Sequence, residues 1–141
     1  MRAATFPTFS LLLAFIVTGC DEERSAKTDV EMHARIIGTW VVDDGPFSLY
    51  HMEKTYAPDG MATGFLLNRQ TGKRIDFTSS WQIKEGRYTG RVIRSNDPAL
   101  PEASSFSTQV LKMTDKQFIT IQDGTGRVTS SHRKDRFASF Q

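Results

Sequence analysis

The sequence predicts an all-β domain, a single eight-stranded antiparallel up-and-down barrel over residues 36–136 of the 141-residue chain. Three observations predict it. Runs rich in β-branched and aromatic residues follow one another, separated by short turns of Gly, Asp and Pro. One run, Arg74 to Lys84, alternates between an apolar set (Ile75, Phe77, Trp81, Ile83) and a polar set (Asp76, Thr78, Gln82, Lys84), the signature of a strand with one buried face. From Ile36 onward no amphipathic helix of useful length interrupts the series. Eight such strands with tight connections would leave two exposed edges in an open sheet, and closure removes both.

Residues 1–19 read as a signal peptide. Arg2 supplies the positive start, and Leu11 to Val17 is an unbroken apolar run well short of the ~18 residues of a membrane span. The run closes with Val17-Thr18-Gly19-Cys20, which resembles the lipobox of bacterial lipoprotein precursors. The resemblance implies that Cys20 receives a diacylglyceryl group, that the leader is cleaved before it, and that the freed amine is acylated with a chain such as palmitate. Several acyl chains at ~0.8 kcal/mol per buried methylene anchor durably. The implied location is the bacterial cell envelope, on the outer side of the cytoplasmic membrane. Asp21 resembles an inner-membrane retention signal, and the outer membrane is the alternative. Cys20 is the only cysteine, so an intramolecular disulfide and a cysteine-based zinc site in the monomer are excluded.

The stretch from Asp21 to Asp29 is polar and reads as a solvated tether. Val30, His33, Ala34 and Ile37 then recur at helical spacing, so residues 20–35 are expected to hold the lipidated cysteine, the tether and a short helix or turn. His33 on that face is expected to be packed or half-exposed and not a ligand.

The expected strands are Ile36 to Val42, Phe47 to Ala57, Met61 to Asn68, Arg74 to Lys84, Arg87 to Ser95, Ser105 to Met113, Gln117 to Gln122 and Arg127 to Lys134. Asp43-Asp44-Gly45-Pro46, Pro58-Asp59-Gly60, Gln70-Thr71-Gly72, Glu85-Gly86, Thr114-Asp115-Lys116 and Asp123-Gly124-Thr125-Gly126 are turns short enough to force antiparallel neighbours. Only residues 96–104, with Pro98 and Pro101, form a longer loop, and residues 137–141 form a tail. A two-residue turn at Glu85-Gly86 sets Ile83 opposite Tyr88, Trp81 opposite Gly90 and Lys84 opposite Arg87. The Trp81 indole is then expected to cover the bare backbone of Gly90.

Gly38-Thr39-Trp40 resembles the G-x-W signature of lipocalins and their small bacterial lipocalin-like relatives. Thr114-Asp115 resembles the second lipocalin motif, and Tyr56-Ala57-Pro58-Asp59-Gly60 is similar to a turn of lipocalin-like lipoproteins. The resemblance implies a barrel whose end is plugged by Trp40, with Arg133, or alternatively Arg136, packed on the indole as a cation over an aromatic face. It also implies a binding protein for a small apolar or amphipathic ligand.

Charge excludes one partner class. The chain has 18 basic and 16 acidic side chains, and loss of Arg2 with the leader leaves 17 against 16, so no nucleic-acid partner is expected. Locally, however, Arg69, Lys73, Arg74, Lys84, Arg87, Arg91 and Arg94 face only Asp76 and Glu85. Lys84, Arg87 and Arg91 are the candidate basic face, for an anionic lipid surface or an envelope protein. The alternative is a solvated outer face with splayed side chains.

No catalytic residues are expected. His33, His51 and His132 form no metal-ligand spacing, Asp43 and Asp44 suit a turn, no serine lies in a G-x-S-x-G elbow, and Gly124-Thr125-Gly126 opens no helix. No metal, cofactor or enzymatic activity is therefore expected. Phe47, Tyr56, Phe65, Phe77, Trp81, Tyr88, Phe106 and Phe118 suffice to line a barrel, with Tyr56, Phe77, Trp81 and Tyr88 as candidate ligand-lining residues and a partly filled interior expected. The competing reading is an envelope interaction module, an inhibitor or assembly accessory, with a filled barrel.

Overall fold

The computed structural model describes residues 24–42 and 48–134. The leader, Cys20, Asp21, the turn at 43–46, Phe47, Arg136 and the tail lie outside the described residues. Within the described residues, one helix, α1 (Asp29–Ile36), precedes eight strands: β1 (Gly38–Val42), β2 (Tyr50–Tyr56), β3 (Met61–Asn68), β4 (Arg74–Lys84), β5 (Arg87–Ser95), β6 (Ser105–Met113), β7 (Gln117–Gln122) and β8 (Val128–Arg133).

Each strand pairs antiparallel with its neighbour in sequence, and β8 returns to β1 through Trp40↔Arg133, Val41↔His132 and Val42↔Ser131, closing the barrel. All eight strands are paired within residues 38–133, so the barrel closes without any other part of the chain. The β4–β5 register is the one the two-residue turn predicts: Ile83↔Tyr88, Trp81↔Gly90 and Lys84↔Arg87. Two bulges interrupt the ladder. They leave Ile93 of β5 and Leu111 of β6 without a cross-strand partner and turn both outward, which explains two exposed large aliphatic residues.

The leading segment departs from expectation in three ways. Ile36 ends α1 and does not begin β1, because Thr28 and Glu31 form a capping box that starts the helix and carries it through a full two turns. The buried face of α1 is Met32 and Ile36, one turn apart, while Val30 is 80% exposed. The tether is also shorter than its polarity suggests. Ala26 is buried, its N–H donates to the Met113 carbonyl at 2.7 Å, and the Met113 N–H donates to Ser25 Oγ at 3.0 Å.

Together α1 and residues 25–28 lie across one end of the barrel. The Asp29 carboxylate accepts hydrogen bonds from the Glu85 and Gly86 N–H groups at 2.6 and 2.8 Å, tying the helix to the tip of the β4–β5 hairpin. Beneath it sits the core, with Ile36, Trp40 and Met113 almost completely buried against Trp81, Ile83, Tyr88 and Phe118. The opposite end, where β1, β3, β5 and β7 finish, carries the long β5–β6 loop. No helix among the described residues is long and apolar enough to cross a membrane.

Candidate functional site: the chamber around Lys54

Alternation along the strands decides what enters the barrel. On β2 it turns Met52, Lys54 and Tyr56 inward, on β4 Phe77, on β5 Tyr88 and Val92, and on β6 Phe106 and Thr108. These residues, with Val42 and Leu66 and with Leu100 of the β5–β6 loop, surround a chamber of about 310 Å³ above the closed end. Its walls are mostly apolar. A second hollow, bordered by Glu53, Arg74, Asp76 and Arg94, is lined by charged side chains, and a third, bordered by Leu49, Tyr50, Ile75 and Arg127, shares Leu66 and Leu100 with the chamber.

Among the described residues, Lys54 is the one charged side chain of the chamber wall, and only 5% of it is exposed. Its Nζ donates to the Tyr88 hydroxyl at 2.8 Å, and the Tyr56 hydroxyl lies 3.2 Å from the same oxygen. Four rings surround the nitrogen, with centroids at 4.8 Å (Phe106), 5.1 Å (Tyr56), 5.5 Å (Tyr88) and 5.8 Å (Phe77). No carboxylate among the described residues pairs with it. Glu53, its chain neighbour, points outward to Lys134 at 2.8 Å and His51 at 3.1 Å. Burial lowers the Lys54 pKa to about 7. Burial likewise raises Tyr56 to about 12 against a smaller opposing effect of its hydrogen bond with Tyr88. Tyr88 rises well above the ordinary tyrosine value, through burial first and then the Tyr56 hydroxyl beside it.

Two glycines make room for the rings. A Cβ on Gly64 would lie 2.8 Å from the Phe77 ring, and one on Gly90 would collide with the Phe106 ring at 2.2 Å. Gly90 is thus covered by Phe106, its β6 register partner, and not by Trp81. The Trp81 indole turns the other way: it donates to the Met61 carbonyl at 3.0 Å and packs edge-on to Tyr56 and against His33.

Of the four candidate lining residues, Tyr56, Phe77 and Tyr88 therefore meet in the chamber, and Trp81 does not; it belongs to the closed end. Phe65 is also outside, stacked under Arg74 at 3.9 Å on the outer face. Lys54 is what the sequence reading missed, while Phe106 is among the barrel-lining aromatics but not among the four candidate ligand-lining residues. The signal for Lys54 was available: it shares the parity of Tyr56, two residues away.

At the closed end, Arg133 lies over Trp40 at 4.5 Å. It donates to the carbonyls of Ile37 at 2.7 Å, Asp115 at 2.6 Å and Arg35. Gly38, at φ +122°, leaves the space that the guanidinium occupies. Thr114 receives the Lys116 and Gln117 N–H groups at 3.2 and 3.0 Å, shaping the turn that offers Asp115.

On the hairpin, Arg87 is paired with Asp123, while Lys84 and Arg91 are exposed and have no ion-pair partner among the described residues. Lys73 and Arg74 are neutralised by Asp97 and Asp76, so the basic face is smaller than the sequence suggests. No group of three or more His, Cys, Asp or Glu side chains that could hold a metal occurs among the described residues.

No protein family and no curated protein matches the sequence. Among solved structures, the chain is similar to a lipocalin-like protein from Bacteroides uniformis, with 13% identity and a TM-score of 0.51, covering 71% of this chain and 99% of that one. Closure in sequence order, the plugged end and this likeness together establish a lipocalin-like barrel.

Proposed function

We propose that this protein is a lipid-anchored binding protein of the bacterial cell envelope that holds a small apolar or amphipathic molecule in its barrel. The observation that carries the reading is the chamber: apolar walls, about 310 Å³, and a few polar groups converging from different strands. Pockets of this kind are the usual seats of small ligands. The chamber also favours ligand binding over an interaction module with a filled barrel, and the role is binding, not catalysis.

The anchor rests on the lipobox at Val17 to Cys20. The docked Ser25 is five positions beyond Cys20, a reach of at most roughly 18 Å. A lipidated Cys20 thus holds the closed end toward the membrane and the mouth away from it. Lys84 sits at that closed end, with Arg91 further along β5, and both suit anionic head groups.

Native mass spectrometry on residues 21–141, purified from an expressing bacterium, tests the binding reading. A reproducible co-purifying small molecule is expected. A clean apo mass with no uptake of apolar fluorescent probes would overturn it. For the anchor, Cys20→Ala in the full chain is expected to lose membrane association; normal processing with retained attachment would refute the lipidation.

A further inference from the structure

We infer that the ligand is a small amphiphile with a carboxylate head, and that Lys54 with Tyr88 receives that head inside the barrel. The inference deepens the binding reading above and rests on it.

Proton counting supports an anionic acceptor. With Lys54 in its ammonium form, that amine and the hydroxyls of Tyr56 and Tyr88 carry five protons, yet only two hydrogen bonds join them. The site is rich in donors and short of acceptors. The four nearest rings offer π-faces but no lone pairs, and Thr108 Oγ1, buried without a partner in the chamber wall, is a hydroxyl that brings a further proton along with its lone pairs. A carboxylate brings two oxygens with lone pairs for the surplus protons and the opposite charge for the ammonium.

Alternatives fit less well. An alcohol or amide supplies an acceptor but no charge, so the buried cation stays uncompensated. A cationic head would meet Lys54 with like charge. A phosphate dianion brings two charges to a single lysine and leaves one of them unmatched between apolar walls.

Size narrows the ligand further. At about 310 Å³ the chamber lies at the small end of ligand pockets, which run from ~300 to ~1,000 Å³. A head with a short chain or a ring fits inside, and a full membrane lipid does not.

The test is a titration of residues 21–141 with octanoate, 1-octanol and octyl phosphate, followed by native mass spectrometry and calorimetry. Octanoate is expected to bind at least ten-fold more tightly than octanol, and Lys54→Met is expected to erase that preference while still binding octanol. Calorimetry of the unmutated protein at pH 8 in two buffers of different ionisation enthalpy adds a readout independent of the variant's folding: octanoate binding is expected to take up protons and octanol binding is not. The groups facing Lys54 from β2 and β5 are the Tyr56 and Tyr88 hydroxyls, and β4 and β6 present the uncharged Phe77 and Phe106. Burial holds both tyrosines protonated at this pH, so the uptake falls on Lys54 or on octanoate itself, and its loss in Lys54→Met assigns it to Lys54. Equal affinity for octanoate and octanol, or tighter binding of octyl phosphate, would overturn the carboxylate assignment and leave the binding reading standing. Failure of all three probes and of apolar dyes to bind would overturn both.

Discussion

Arg133 and Trp40 are register partners across the β1–β8 seam, and the guanidinium lies 4.5 Å from the centre of the indole. The same guanidinium holds the carbonyls of Arg35, Ile37 and Asp115, so one side chain joins the end of α1, the first strand, the last strand and the β6–β7 turn. Arg133→Met keeps much of the volume but strands three carbonyls. It is expected to cost about 3 kcal/mol in urea unfolding. Arg133→Lys is expected to recover only part of that, because an ammonium cannot reproduce a planar fork of donors. A loss under 1 kcal/mol in the Met variant would mean the seam is held by the ladder alone.

Gly90 and Phe106 form a second coupled pair. Gly90→Ala places a methyl where the Phe106 ring lies, and is expected to cost about 1–3 kcal/mol. In a Phe106→Leu background the same change is expected to cost less than half as much. A double-mutant cycle reads the coupling, and strict additivity would show that the ring does not occupy that space.

Lys54 makes stability depend on pH. Its folded pKa of about 7 lies below the ordinary lysine value, so between pH 7 and 10.5 the unfolded chain binds more protons than the folded one. The penalty is full below pH 7 and is relieved as pH rises to about 10.5. The ligand-free protein is expected to gain stability over that window by up to roughly 4 kcal/mol relative to Lys54→Met. Parallel denaturation curves at pH 6, 8 and 10 measure the difference. A pH-independent gap between the two proteins would show that the buried amine does not titrate in this range.

The β4–β5 hairpin contains a strained position that can be relieved. Glu85 has φ +53° and precedes Gly86 at φ +71°, a turn geometry that prefers Asn-Gly. Glu85→Asn is expected to stabilise by about 0.5–1 kcal/mol. Asp29→Ala, which removes the acceptor for both turn N–H groups, is expected to cost about 1–2 kcal/mol. Thermal unfolding of the two variants should move in opposite directions, and a shared direction would contradict the helix–hairpin link.

The strands were legible because each face of the sheet meets a different environment. Ile75, Phe77, Trp81 and Ile83 repeat with period two, and Glu85-Gly86 is short enough to fix the pairing beyond it. Gly38, Trp40 and Arg133 are singled out by the resemblance to lipocalins, with Arg136 as the alternative, and that resemblance says nothing of the carbonyls that gather around the arginine. Lys54 was hidden by a sound rule, since lysines rarely lie inside. Its inward parity with Tyr56 outranks its charge only because β2 is paired on both sides and cannot turn over.

What the sequence by itself determined is therefore the number of strands, their order, the β4–β5 turn and the buried face of β4, all local consequences of alternation and turn chemistry. What only the tertiary structure decided is which inward residues share a neighbourhood: that Phe106 and not Trp81 covers Gly90, that α1 closes one end through Met32 and Ile36, and that four rings and a hydroxyl converge on Lys54. Those relations depend on barrel closure, which brings residues tens of positions apart within a few ångströms. No local periodicity encodes such distances.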